Sequence, residues 1–131
     1  MTTTALEFVE KLRLSPHPEG GYYRETYRAS NQYDANGRDF YTAIYYLLEG
    51  HDRSHLHRID ADEIIHHYYG SDITIYMLHH DKGYSSHQIG SESGEFHMMI
   101  HAGTWMGMTV NDTNNLALLG CTVAHGFDFK G

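Results

Sequence analysis

One cysteine, two prolines, nine basic residues and no long apolar run narrow this 131-residue chain before any motif is sought. A single cysteine excludes an intramolecular disulfide, and Cys121 sits in the apolar run "LALLGCTVAHG", where it reads as a small core residue rather than a nucleophile. With so few prolines, little interrupts extended segments. Nine Lys and Arg against seventeen acids give a net charge of −8, so there is no basic face to neutralise phosphates and nucleic acid is excluded as a partner. No window approaches the roughly 18 apolar residues of a membrane span. The beginning, "MTTTALEFVEKL", lacks the basic-then-apolar layout of a secretory leader, so a cytoplasmic protein without a membrane partner is expected.

What is plentiful is aromatic and imidazole. Hydrophobic residues make up 40% of the chain, with eleven tyrosines and five phenylalanines, enough for one core and one domain over 1–131. Twelve histidines make the net charge steep in mild acid.

One helix is expected, over 4–14. Thr4 and Glu7 have capping-box spacing, Leu6, Val9 and Leu12 with Phe8 make an apolar stripe, and Pro16 and Pro18 stop it. Over 20–129 short strand-like runs follow: "GGYYRETYRAS", then "NQYDANGRD" as a turn region, "FYTAIYYLLEG", "RSHLHRI", "DEIIHHYYG", "DITIYMLHH", "YSSHQIG", "FHMMIHAG", "TWMGMTV" and "LALLGCTVAHGF". Gly- and Asp-containing turns separate them, the pattern of an all-β sandwich or small barrel. The two glycines of "PHPEGGYY" have no strand–loop–helix context for phosphate and read as a tight entry into the first strand. Arg24 and Arg28, four apart, fall on one strand face, each able to hold a substrate carboxylate or phosphate or to make a plain salt bridge.

The stretch "RSHLHRIDADEIIHHYYG" holds four histidines and three acids in residues 53–70. Alternation puts His55 and His57 on one face and Leu56 on the other. In the next strand one face carries Glu63, Ile65, His67 and Tyr69 and the other Asp62, Ile64, His66 and Tyr68; either, turned inward, supplies one acid and one histidine. His55, His57 and Glu63 together suit a divalent first-row metal. Without metal, a carboxylate beside an imidazole makes an acid–base pair. His17, His51, His79, His80 and His87 read as surface residues.

These residues resemble the cupin superfamily, whose first motif is a glycine, a His-x-His pair, a glutamate, six residues and a glycine. Gly50, His55, His57, Glu63 and Gly70 follow it, with four residues rather than five before His55 and five rather than three or four before Glu63. In the second motif, Pro-x-Gly-x-x-His, Gly103 agrees, while His101 stands at the proline and Met106 at the histidine. The blocks "PHPEGGYYRETYR", "TAIYYLLEG", "SHLHRIDADEIIHHYYG", "AGTW" and "LLGCTVAHGFDF" look like the small cupin-5 family, first labelled a domain of unknown function. Relatives usually carry tryptophan at Ile65 and proline at His101 and His125. The resemblance implies a cupin jelly-roll β-barrel with a short N-terminal helix, a homodimer, and a lumen similar to that of nucleotide-sugar epimerases.

Three functional readings follow. In the first, the lumen binds a small molecule, a sugar or nucleotide sugar, as an acid–base isomerase or epimerase without a tightly held metal. His57 is the base, Glu63 orients it, and His66 completes the catalytic set; Ser54, Arg24, Tyr23, Tyr68 and Trp105 contact the ligand, with Tyr45 a further source of acid or stacking face. In the second, His55, His57 and Glu63 bind a divalent metal ion, with His66, His67 or His97 replacing the missing ligand. In the third, the lumen only binds a ligand, or the chain is a structural dimer.

Overall fold

The helix α1, Thr3–Leu12, turns Ala5, Phe8, Val9 and Leu12 toward the protein, one helical face at spacings of three and four. Leu6, expected in the stripe, is 48% exposed, because the buried face is centred on Ala5 instead. The computed structural model describes residues 3–29, 39–79, 81 and 83–125. The helix starts one residue before the expected cap and ends two residues before the expected stop at 14. Arg13 adopts a left-handed φ of 56°, and the Leu14 N–H donates to the Val9 carbonyl at 2.9 Å, a six-to-one closure that buries Leu14 beside Val9. Arg24 completes this end: its Nε–H donates to the Leu12 carbonyl at 2.6 Å. A cation on the last carbonyls of a helix satisfies orphan acceptors and complements the dipole. Arg24→Met should therefore cost about 1–2 kcal/mol in urea unfolding, with Arg24→Lys recovering part of it; equal stability of Arg24→Met and wild type would show that the contact contributes nothing.

Among the described residues ten strands follow: β1 (Ser15–Pro16), β2 (Tyr22–Arg28), β3 (Thr42–Glu49), β4 (Arg53–Arg58), β5 (Asp62–Gly70), β6 (Ile73–His79), β7 (Gly83–Ile89), β8 (His97–Ile100), β9 (Trp105–Val110) and β10 (Leu116–Ala124). They form two antiparallel sheets, β1-β2-β3-β10-β5-β8 and β4-β9-β6-β7, the layered arrangement of an all-β cupin-like barrel. The expected runs coincide with β2 to β10; only the two-residue β1 has no sequence signal. Residues 31–38 of the expected turn region, and the "GFDF" block, lie outside the described residues.

Central β10 is apolar apart from Thr122, and its first six residues are buried because both faces of the strand are covered there. Ala117, Leu119 and Cys121 point between the sheets, where they meet Leu48, Ile65 and Ile75, while Leu116 and Leu118 point outward beneath the helix with Leu47. Beyond the helix, the outer face of the larger sheet carries a second cross-strand row, Tyr27, Ala43, Thr122, Ile64 and Met99; its two end members are about half exposed. No helix among the described residues is long and apolar enough to cross a membrane.

Candidate functional site

Between the sheets lies a cavity of about 520 Å³. The larger sheet supplies three cross-strand rungs of its wall: Tyr23 with Tyr46; Glu25 with Ile44 and Cys121; and Arg28 with Thr42, Val123 and Glu63. The smaller sheet faces them with two pairs, Ser54 opposite Met108 and His57 opposite Met106.

Two β-bulges decide who enters this wall. Strict alternation would separate Ser54 from His57, and Glu25 from Arg28, since each pair is three residues apart. The register shifts between Ser54 and His57, and between Glu25 and Tyr27, so that both members of each pair face inward. The first bulge pushes His55 and Leu56 into solvent. His55 and His57 therefore do not share a face, and the expected metal set His55, His57 and Glu63 is not assembled. The second bulge separates Arg24, which anchors the helix, from Arg28, which reaches the cavity.

His57 is held by its own strand. Its Nδ1 lies 2.7 Å from the His55 carbonyl oxygen. A carbonyl only accepts, so Nδ1 carries the proton and, in the neutral ring, Nε2 keeps its lone pair. Backbone, and not Glu63, orients this imidazole. His17, expected on the surface, lines the cavity between the rings of Tyr23 (centroids 4.7 Å apart) and Tyr46 (5.2 Å). Its Nδ1 accepts the Glu19 N–H at 2.9 Å, which fixes the opposite tautomer. Burial first, and the neighbouring His57 second, lower its pKa to about 4 against a smaller opposing effect of Glu19.

Glu63 is buried without a cation beside it among the described residues, and burial drives its pKa up to about 7. Its neighbour is the Cys121 thiol, which donates to it and is itself pushed up by burial and by the carboxylate. Burial likewise raises the Tyr46 phenol, which donates to the Gly20 carbonyl. The Ser54 hydroxyl lies close to that phenol, is 4% exposed, and has no partner with hydrogen-bond geometry. At the mouth, Arg28 bonds Glu25 at 2.7 Å and Asp39 at 2.8 Å.

Of the residues singled out from sequence, the structure brings Ser54, His57, Glu63 and Tyr23 to one cavity, Tyr23 and Glu63 on the larger sheet facing Ser54 and His57 on the smaller. Besides His55, five others lie elsewhere. On β5 the inward face is that of Glu63, Ile65 and His67, so His66 and Tyr68 lie on the outer surface; His66 contacts Tyr68 and His97 there, and burial and His97 lower its pKa. Tyr45, on the same outer face, meets Tyr68 edge-on. Trp105 is 41% exposed and stacks under Arg58, 5.6 Å from its ring centre. Arg24 is occupied by the helix end. His17 and Tyr46 are the members that the sequence reading missed; His17 stands inside the "PHPEGGYYRETYR" block on which the resemblance rested, the one signal that marked it.

The family described as "Cupin superfamily (DUF985)" matches residues 6–131. No curated protein matches. Among solved structures, protein SO0799 from Shewanella oneidensis is 34% identical, with 95% of this chain and 79% of that chain covered and a TM-score of 0.86. A hypothetical protein from Leishmania major is 28% identical over 96% and 84% of the two chains, with a TM-score of 0.85. Bacillus subtilis oxalate decarboxylase shares the fold alone, at 14% identity and a TM-score of 0.67, this chain spanning 28% of its length.

Such cupin neighbours include proteins with Mn(II) centres, as the Bacillus enzyme has. The lumen here does not fit such an ion. His55 is outside, Met106 stands opposite His57, Glu63 is engaged by a thiol, and the inward His67 is tied through Nε2 to the Ser71 carbonyl at 2.8 Å. Among the described residues, ligand atoms converge at a different place, the turn after β3, where one atom each of Glu49, His51 and Asp52 lies within 4.8 Å of the others, a possible metal site apart from the cavity wall.

Proposed function

We propose, from the premise that this chain belongs to the cupin superfamily through its DUF985 family, that the lumen binds a small polar molecule and moves a proton on it, with His57 as the base. One observation carries this reading: the His55 carbonyl fixes the proton of His57 on Nδ1, which leaves Nε2 as a base in the wall of a cavity of metabolite size.

The chemistry is enolisation. Nε2 takes a proton from the carbon beside a carbonyl; the C–H pair becomes a carbon–carbon double bond, and the carbonyl oxygen takes up the displaced electrons. Glu63, a carboxylic acid below about pH 7, donates a hydrogen bond to that oxygen from the facing wall. Return of the proton to the opposite face is epimerisation, the outcome analogous to sugar epimerases; return to the neighbouring carbon is isomerisation. No oxidant or reductant is consumed. The reading includes a homodimer, supported by the exposed Tyr27 and Met99 ends of the outer apolar row.

The test is solvent exchange. Protein without a histidine tag is incubated in D2O with a panel of hydroxy-carbonyl compounds, and deuterium at the carbon beside the carbonyl is followed by NMR. Wild type should catalyse incorporation, and His57→Gln should lose at least tenfold of the rate with unchanged thermal unfolding. Equal rates in both proteins would remove His57 as the base. Binding without any exchange would leave a lumen that holds a ligand and performs no chemistry on it.

A further inference from the structure

We infer that the lumen takes an uncharged polyhydroxy compound, a free sugar or its open-chain form, and that Ser54 receives one of its hydroxyls at the inner wall; this rests on the lumen being the binding site. Ser54 is 4% exposed and its buried hydroxyl, close to the Tyr46 phenol, has no partner with hydrogen-bond geometry among the described residues, an arrangement that costs the folded state free energy. Ser54 stands in the cavity wall three residues from His57, and only the bulge puts both inside. A hydroxyl donates once and accepts twice, so its natural complement is another hydroxyl.

Charge selects against anions. The guanidinium at the mouth, Arg28, is shared by two carboxylates, Glu25 and Asp39, which leaves that rim net negative. Deeper in, His17 is neutral above pH 5 and Glu63 is at most an additional negative charge. A phosphate or carboxylate entering here would lose its hydration and find no unneutralised lysine or arginine among the described lining residues. The chain's net charge of −8 opposes its approach as well. The remaining wall suits a sugar ring: Tyr23 and Tyr46 add aromatic surface to it, and Met106, Met108 and Ile44 add apolar surface for its carbons. A nucleotide sugar brings a diphosphate that these walls do not meet.

The experiment uses paired probes: D-fructose with D-fructose 6-phosphate, and D-glucose with D-glucuronate. Calorimetry on the full chain should show the neutral member of at least one pair binding at least tenfold more tightly than its anion. Ser54→Ala should weaken that binding at least fivefold, while the ligand-free variant unfolds at the same or a higher temperature than wild type, since an unpartnered buried hydroxyl has been removed. Tighter binding of an anion, no binding of either neutral sugar, or undiminished affinity in Ser54→Ala would overturn the inference. Neutral-sugar binding without deuterium exchange would sink the base assignment and leave the ligand class intact. Exchange on an anionic compound would do the reverse.

Discussion

Glu63→Gln should leave stability nearly unchanged at pH 4.5 and raise it by about 3 kcal/mol at pH 8. The carboxyl titrates near 4.5 in an unfolded chain and near 7 in the folded one, burial being the cause. Below pH 4.5 both states hold the proton, and the buried acid costs nothing extra. Between pH 4.5 and 7 the unfolded chain releases its proton while the folded protein keeps it, so each step upward in pH favours unfolding. Above pH 7 the folded protein carries a buried carboxylate with no cation beside it among the described residues, and the loss is complete. Glutamine keeps the shape and removes the titration. Urea unfolding of both proteins across this range checks it: the difference should be absent at the acid end and full above neutrality. A constant difference would mean that Glu63 is already ionised at low pH in the folded state. His17 pulls the other way. Its pKa is depressed from 6.5 to about 4, so its contribution is present above pH 6.5 and lost as pH falls toward 4. That effect is smaller, on the order of 1–2 kcal/mol, because the ring keeps part of its solvent contact. Between pH 4.5 and 6.5 the two slopes oppose each other in wild type, and Glu63→Gln exposes the rising one alone.

Gly20→Ala should cost about 2–4 kcal/mol, among the largest single-methyl effects available in this fold. Gly20 has a φ of 105°, a conformation that favours glycine, and a methyl there would overlap the Arg53 carbonyl oxygen, immediately before Ser54. The segment cannot yield easily. Its Glu19 carbonyl accepts the His55 N–H at 2.7 Å, its Gly20 N–H donates to His17 at 3.0 Å, and its Gly20 carbonyl accepts the Tyr46 phenol. Relief of the overlap must push β4 away from β3 or turn Tyr46 out of the wall, so ligand affinity should fall together with stability. Gly94→Ala is the control, because its φ of 81° is also left-handed while nothing lies within 4 Å of the added methyl. It should cost about 1 kcal/mol, from backbone strain alone. Equal losses in the two variants would mean that strain, and not the overlap with β4, governs Gly20.

The sequence was most informative where one physical period ran undisturbed. In "DEIIHHYYG" alternation held from Asp62 to His67, until a bulge at Tyr68 turned Tyr68 and Tyr69 both outward, and the closing glycine marked the end of β5. The apolar run "LALLGC" marked a strand start covered on both sides. Alternation sorts side chains into two sets but does not say which set faces the core, so His66 and Tyr68 stood as candidates until packing placed Ile65 inside. It also fails at a bulge, where one extra residue resets the faces. The bulge at His55 and Leu56 is decided by pairing with β9, more than forty residues downstream, and no local signal in "RSHLHRI" announces it. His17 was hidden for a related reason. It belongs to no periodic element, and its burial comes from Tyr23 and Tyr46, which reach it from two strands of the same sheet.

The place of β10 between β3 and β5 has a consequence for how the chain reaches this shape. The strand at the centre of the larger sheet is the last of the ten described strands along the chain, and its partner β3 lies about 70 residues earlier, so the local set β1-β2-β3 and the pair β5-β8 are joined only by a long-range contact. Until β10 is captured, two apolar strand edges wait unpaired. The slow, encounter-limited step of folding, and the interval in which a young chain is most open to mispairing with its neighbours, both belong to that capture.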